Sequence, residues 1–141
     1  MNVGDSLVDS AALPLIKPYL NSPKVHLPSD LKWQGTKILD IGPKTVREYT
    51  AVIKKARTII WNGPMGWFEK KAYASGTKGV WKAVLANKKA RVVIGGGETV
   101  ASLRILNTKY KIPNTVFVST GGGAMLDFLS GKKLPGIESL K

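Results

Sequence analysis

Three times the chain runs a short, almost wholly apolar segment into a turn: "RTIIWNGP" at 57–64, "ARVVIGGG" at 90–97 and "TVFVSTGGG" at 115–123. Segments with apolar residues at helical spacing lie between them. A strand that alternates apolar and polar residues covers one face of a sheet, whereas one apolar at nearly every position must be covered on both. Apolar strands separated by helical segments are the pattern of a parallel sheet packed between helices. The expected fold is α/β, a three-layer α/β/α arrangement with a mostly parallel, Rossmann-like sheet. Ligands of such sheets sit beyond the carboxyl ends of the strands, where these glycines fall.

Gly95, Gly96 and Gly97 precede one helical segment, and Gly121, Gly122 and Gly123 precede another. The first amides of a helix have no partner inside it and carry partial positive charge. Without Cβ atoms, an anion can approach them closely. A flexible turn would explain one triplet; two in the same strand–loop–helix setting point to a phosphate cradle. Neither triplet completes G-K-[ST] or G-x-G-x-x-G. In "WNGPMGWFE" at 61–69, Asn62 offers an amide at a strand exit, and Glu69 a carboxylate suited to ribose hydroxyls. The apolar residues there read as core. Glu98 opens a helix, where an acid contributes about 0.3–1 kcal/mol against the dipole or could hold Mg²⁺ beside phosphates. His26 stands alone, without a cysteine or second histidine to share a metal or a triad.

The remaining chain reads as a Pro-interrupted helix over 6–20, a short strand at 24–28 and a strand from 36 into the Gly42–Pro43 turn. Residues 45–56 read as a helix, with Thr45 and Glu48 as a capping box. Further helices are expected over 68–89, weakened in the middle by Gly76 and Gly79, over 98–107 and after 123. Gly131 suits a C-cap, and the tail from 131 reads as irregular.

Size and charge bound the possibilities. The 141 residues, 43% of them hydrophobic, suit a single domain, and the absence of cysteine fits a reducing compartment. Apolar runs of about seven or eight residues fall short of the ~20 that span a membrane, and no secretory leader pattern opens the chain. The expected place is the cytoplasm, with no membrane partner. A net charge of +13 suits a polyanionic partner, whether nucleotide, sugar phosphate or nucleic acid.

Taken together, "VGDSLVD", "DIGPKT", "WNGPMGWFE", "GGGET" and "STGGGAMLDFLSGKKLPGIESL" resemble phosphoglycerate kinase, specifically the later part of its C-terminal nucleotide-binding domain. The resemblance runs from about residue 3 to the end, less clearly over 24–37. It implies a glycolytic two-domain kinase that moves a phosphoryl group between 1,3-bisphosphoglycerate and MgADP, giving 3-phosphoglycerate and MgATP. It further implies that Asn62 and Glu69 contact ADP or ATP, Glu69 at the ribose, and that Pro64 and Met65 line the adenine pocket. Gly96, Gly97, Glu98 and Thr99 would surround the phosphates and Mg²⁺, with Glu98 as the metal ligand. Gly121, Gly122 and Gly123 would present a helix N-terminus to the phosphoryl group in transit, with Ser119 and Thr120 close by.

Two positions depart from the family pattern. Glu98 stands where the family has Asp, which moves the carboxylate by about 1.5 Å, and Ile38 stands where a Gly is usual near the adenine. The arginines and histidine of the family's first domain, which take the 3-phosphoglycerate, and a Gly-Gly-x-Lys loop have no counterpart here. The expectation is one partial nucleotide-binding domain over 1–141, with 131–141 as a C-terminal tail. It would be a fragment or split piece, incompetent alone and able to associate with its missing half. The alternatives are a basic non-enzymatic nucleic-acid-binding module, disfavoured because no arginine-clustered helix, RNP-like strand or zinc finger is present, and a module that completes another chain's sheet.

Overall fold

The computed structural model describes residues 3–6, 8–106 and 112–140. Leu7 and Asn107, which belong to expected helices, and Lys141 of the tail lie outside them. Strands β3 (Thr58–Asn62), β4 (Arg91–Gly95) and β5 (Val116–Ser119) form a parallel sheet in the order β3-β4-β5. Its register is level at the carboxyl ends: Asn62 lies beside Gly95, and Gly95 beside Ser119. The α/β fold with a parallel sheet flanked by helices is therefore present.

One sheet face carries Trp61, Val92 and Ile94, packed against helix α3 (Ser75–Ala86). Trp81 of α3 is fully buried, with its ring 4.6 Å from that of Trp61. An indole N–H needs a partner once buried. Trp81 Nε1 donates to Ser102 Oγ at 2.7 Å, and Ser102 in turn donates to the Thr99 carbonyl at 2.6 Å. This polar chain binds α3 to helix α4 (Gly97–Ala101) and the 3-10 turn Ser102–Leu106 that continues it. Helix α5 (Gly122–Leu129) packs on the other face, where Met125 lies over Gly95. Away from α5 that face is open: Ile60 is 50% exposed and Phe117 66%.

Before this sheet comes an antiparallel pair, β1 (Leu31–Gln34) and β2 (Lys37–Ile41). The strand expected at 24–28 is absent; the chain there is irregular and pairing begins at Leu31. Alternation was too short to place it, and the pairing itself decides. Helix α2 (Pro43–Lys55) begins two residues earlier than expected, with Gly42 at its N-cap and Pro43 at the first position, where a missing N–H costs nothing. The Thr45–Glu48 capping box does not form. Asp30, remote in sequence, caps the helix: its carboxylate accepts the amides of Lys44 at 2.9 Å and Thr45 at 2.6 Å, and the Thr45 hydroxyl at 2.7 Å. Val46, Tyr49 and Ile53 then face the core along α3. At the other end, Asn87 Nδ2 donates to the carbonyls of Ile53 and Ala56 at 2.7 and 2.9 Å.

The first helix is broken as expected, with α1 (Leu13–Ile16) passing into a 3-10 turn over Lys17–Tyr19. Gly76 lies in the first turn of α3 rather than in mid-helix, and a short 3-10 turn (Lys71–Tyr73) precedes it. After α5, Gly131 at φ +82° donates to the Phe128 carbonyl while Lys132 donates to that of Asp127, both at 3.0 Å. This Schellman arrangement closes the helix. The tail is not wholly irregular, since Pro135–Glu138 form a single helical turn, α6.

Ile94→Ala is expected to lower the unfolding free energy by about 2–5 kcal/mol in a urea titration, and Ile60→Ala by far less, because half of Ile60 is already in water. Partial burial pushes the Asp30 carboxyl upward, but the bonds from Thr45 and Lys44 and the Arg47 charge outweigh this and hold it below its ordinary 3.8. A depressed acid stabilises the fold above its unfolded value and loses that effect as pH falls through the folded one. The midpoint gap between the native chain and Asp30→Asn should therefore hold steady near neutrality and close below pH 3.8.

Candidate functional site

The level register places the exits of β3, β4 and β5 side by side, so Asn62, Gly95 and Ser119 share one edge of the sheet. The two glycine loops meet there. The Gly96 amide donates to the Ser119 carbonyl at 3.0 Å. Gly96, at φ +89°, is the N-cap of α4, a conformation that side chains resist. A Cβ on Gly122 would stand 2.8 Å from Gly96 Cα and would fall on Asn62 Oδ1, and one on Gly95 would fall on Met125. Gly122 is required by close packing of backbone on backbone, Gly96 by its positive φ, and Gly95 lies against the end of the Met125 side chain.

The third glycine of each triplet is different. A Cβ on Gly97 or Gly123 would meet nothing within 4 Å. The amides of Gly97, Glu98, Gly123 and Ala124 belong to the first turns of α4 and α5 and have no acceptor within their own helices. The packed glycines thus bring two helix starts together, and the open ones leave their amides approachable. Gly121 is exposed, its nearest neighbours at ordinary contact distance, and Thr120 is exposed at the loop's start. The Gly122 amide donates to the Thr120 carbonyl at 3.2 Å.

Thr99 is fully buried, and its Oγ1 accepts the Gly63 amide at 2.7 Å. Trp61 Nε1 donates to the Gly63 carbonyl at 2.6 Å. Gly63 is held from both sides, which fixes the turn beyond Asn62. The side chain of Thr99 therefore orients that turn from within. Glu98 is exposed at the start of α4, and among the described residues no group of three or more His, Cys, Asp or Glu could hold a metal.

The 62–69 segment divides between two places. Glu69 is exposed and, with Phe68, Arg104 and Ile105, borders a depression of about 330 Å³. Pro64 is half-buried, and Met65 faces the core side, where it borders an apolar cavity of about 230 Å³ with Tyr49, Trp61 and Val80. The Met65 amide donates to Thr77 Oγ1 at 3.0 Å. Arg104 beside Glu69 escaped the sequence reading because 35 positions separate them and only the turn after α4 brings them together. Ile38 lies half-buried on β2, its amide bonded to Ser6 Oγ at 3.0 Å, and the His26 carbonyl accepts the Tyr49 hydroxyl at 2.8 Å.

Gly122→Ala must force the two loops apart, and an overpacked site of this kind costs typically 1–3 kcal/mol. Gly123→Ala has open space and is expected to unfold at nearly the native midpoint. Paired thermal melts of the two variants check the contrast.

A family model described as phosphoglycerate kinase matches residues 1–132. Among curated relatives, the phosphoglycerate kinase of Koribacter versatilis is 53% identical over 102 residues, 72% of this chain and 25% of the relative. That of Clostridium botulinum is 50% identical over 107 residues, 76% of this chain and 26% of the relative. Among solved structures, the phosphoglycerate kinase of Coxiella burnetii superposes with a TM-score of 0.77 at 31% identity, over 96% of this chain and 40% of that one. The enzyme from Pyrococcus horikoshii does so with a TM-score of 0.76 at 34% identity, over 92% and 36%. The chain spans about a quarter of the length of the curated relatives it matches. A parallel sheet with two glycine loops joined at its exits, matched along almost the whole sequence, means that this chain belongs to the phosphoglycerate kinase family.

Proposed function

We propose that the chain supplies part of the nucleotide half of a cytoplasmic, glycolytic phosphoglycerate kinase, within one partial nucleotide-binding domain over 1–141 whose last residues, 131–141, form the tail. The observation that carries this reading is the pairing of the two helix starts, with Gly97 and Gly123 open beside glycines too closely packed to accept a side chain. Amides there can donate to phosphate oxygens of ADP or ATP, and preorganised donors of this kind stabilise charge that shifts during phosphoryl transfer. Asn62 stands at the shared edge, and Glu69 with Arg104 borders a depression suited to a sugar's hydroxyls. Pro64 and Met65 would bound the base.

The donor set fits Mg²⁺ in the way that ion is usually held, by one carboxylate and the substrate's own phosphates rather than by a protein cage. Glu98 would be that carboxylate. When bound, Mg²⁺ neutralises phosphate charge and restricts the phosphate chain's conformations. Turnover requires groups for 3-phosphoglycerate, which this reading assigns to polypeptide outside these residues. The open sheet face at Ile60 and Phe117 supports the view that more of the family fold packs there.

Calorimetric titration with MgADP is expected to give a saturable heat with Kd at or below about 1 mM; no heat at millimolar nucleotide would refute nucleotide binding by this chain. Gly123→Asp, a change into open space, should keep the fold and weaken MgADP at least about ten-fold by setting charge against charge. Glu98→Gln should reduce the gain in ADP affinity that Mg²⁺ brings, with ADP affinity in EDTA unchanged. A coupled assay with 1,3-bisphosphoglycerate should show no ATP formation by the 141 residues on their own.

A further inference from the structure

We infer that Asp40 is a positioning residue for the 62–69 segment: its buried carboxylate joins the start of α3 to the back of Gly66, and through them sets where Pro64, Met65 and Glu69 stand. The inference rests on the nucleotide reading of those three residues. Asp40 is 1% exposed. A carboxylate so buried is tolerated only when its oxygens are well supplied with donors. Oδ1 accepts the Ile41 amide at 2.9 Å. Oδ2 accepts the Gly76 amide at 2.9 Å and the Ser75 hydroxyl at 3.1 Å. Ser75 Oγ is itself the acceptor of Lys32 Nζ at 2.6 Å, and that ammonium lies 3.9 Å from Oδ2. Burial still pushes the Asp40 carboxyl up, against these bonds and the lysine charge.

The two glycines against Asp40 show what the carboxylate joins. A Cβ on Gly76, in α3, would fall on Oδ1 and lie 2.5 Å from Ile41 Cγ1. A Cβ on Gly66, in the 62–69 segment, would also fall on Oδ1, and would stand 2.7 Å from both Asp40 Cα and the Leu39 carbonyl oxygen. The segment is then held at three successive residues. Met65 donates to Thr77 at 3.0 Å, Gly66 lies flat on Asp40, and Trp67 donates to the Leu39 carbonyl at 2.8 Å. Thr77 follows Gly76, so the first of these holds depends on the turn that Asp40 ties down, and the third on the residue before Asp40.

Asparagine has Asp40's shape but only one acceptor oxygen, while donors reach both of the native ones, so Asp40→Asn turns an N–H against a donor. The variant is compared with Val92→Ala, a change of the buried core at the far end of β4, under conditions where both are equally folded. Hydrogen exchange of the Met65 and Trp67 amides is expected to be roughly ten-fold faster in Asp40→Asn than in Val92→Ala, and MgADP binding about ten-fold weaker. Equal exchange at these two amides overturns the inference whatever the nucleotide does. Faster exchange with native MgADP affinity overturns the link to the site. A native chain that binds no MgADP refutes the nucleotide reading instead, and the exchange rates still decide whether Asp40 holds the segment. Should Asp40→Asn fail to fold, Ser75→Ala, which removes one donor, is expected to give roughly two- to five-fold changes of the same kind, and none if the inference is wrong.

Discussion

The structure turns on the contact between Gly96 and Gly122. Two strand exits in a parallel sheet are about 4.8 Å apart, too close for side chains on both loops that leave them. With no Cβ on either residue, backbone meets backbone, Gly96 donates across to Ser119, and Asn62 Oδ1 fills the space that a methyl group would take. Everything proposed for phosphate binding follows from this contact, because it sets two helix starts beside one another with their outer amides exposed. The glycines of each triplet therefore have separate tasks. Gly96 and Gly122 make the approach possible, while Gly97 and Gly123 border open space.

Around that contact, side chains distant in sequence complete what each element lacks. Asp30 caps α2, Asn87 closes it, Thr99 holds the turn after β3, and Asp40 holds the start of α3. The charged members of this set act against opposite balances. Asp30 is reached by two amides and one hydroxyl, which with the Arg47 charge favour its ionised form, and its carboxyl is lowered; Asp40, more deeply buried, is raised despite three donors and a lysine. The bonds to Asp30, at 2.6–2.9 Å, are also shorter than those to Asp40, at 2.9–3.1 Å, so bond strength and depth of burial act in the same direction.

The sheet is unevenly covered. Trp81, Val84 and Trp61 cover one face with two large rings beside an apolar cavity, whereas the opposite face has α5 at its carboxyl end and open apolar side chains below. The near-continuous apolar strands called for cover on both faces, and these residues supply most of it on one. A family in which this chain accounts for about a quarter of its curated relatives has much further polypeptide with which to cover such a surface.

What the sequence determined alone was whatever depends on neighbours along the chain. Apolar strands between helical periods marked the parallel sheet, and glycines after "RVVI" and "VFVS" marked the loops; the motif order marked the family. It also placed the break in the first helix and the C-cap at Gly131. Local pattern misplaced the first strand at 24–28 and assigned the capping of α2 to Thr45 and Glu48, because a capping box needs only three residues of spacing while Asp30 reaches the same amides from another part of the fold. Arg104 beside Glu69, Thr99 facing inward and Asp40 under Gly66 were likewise beyond reach. Their roles depend on distances between segments tens of residues apart, and such distances exist only once the sheet has aligned its strands and the helices have packed upon it.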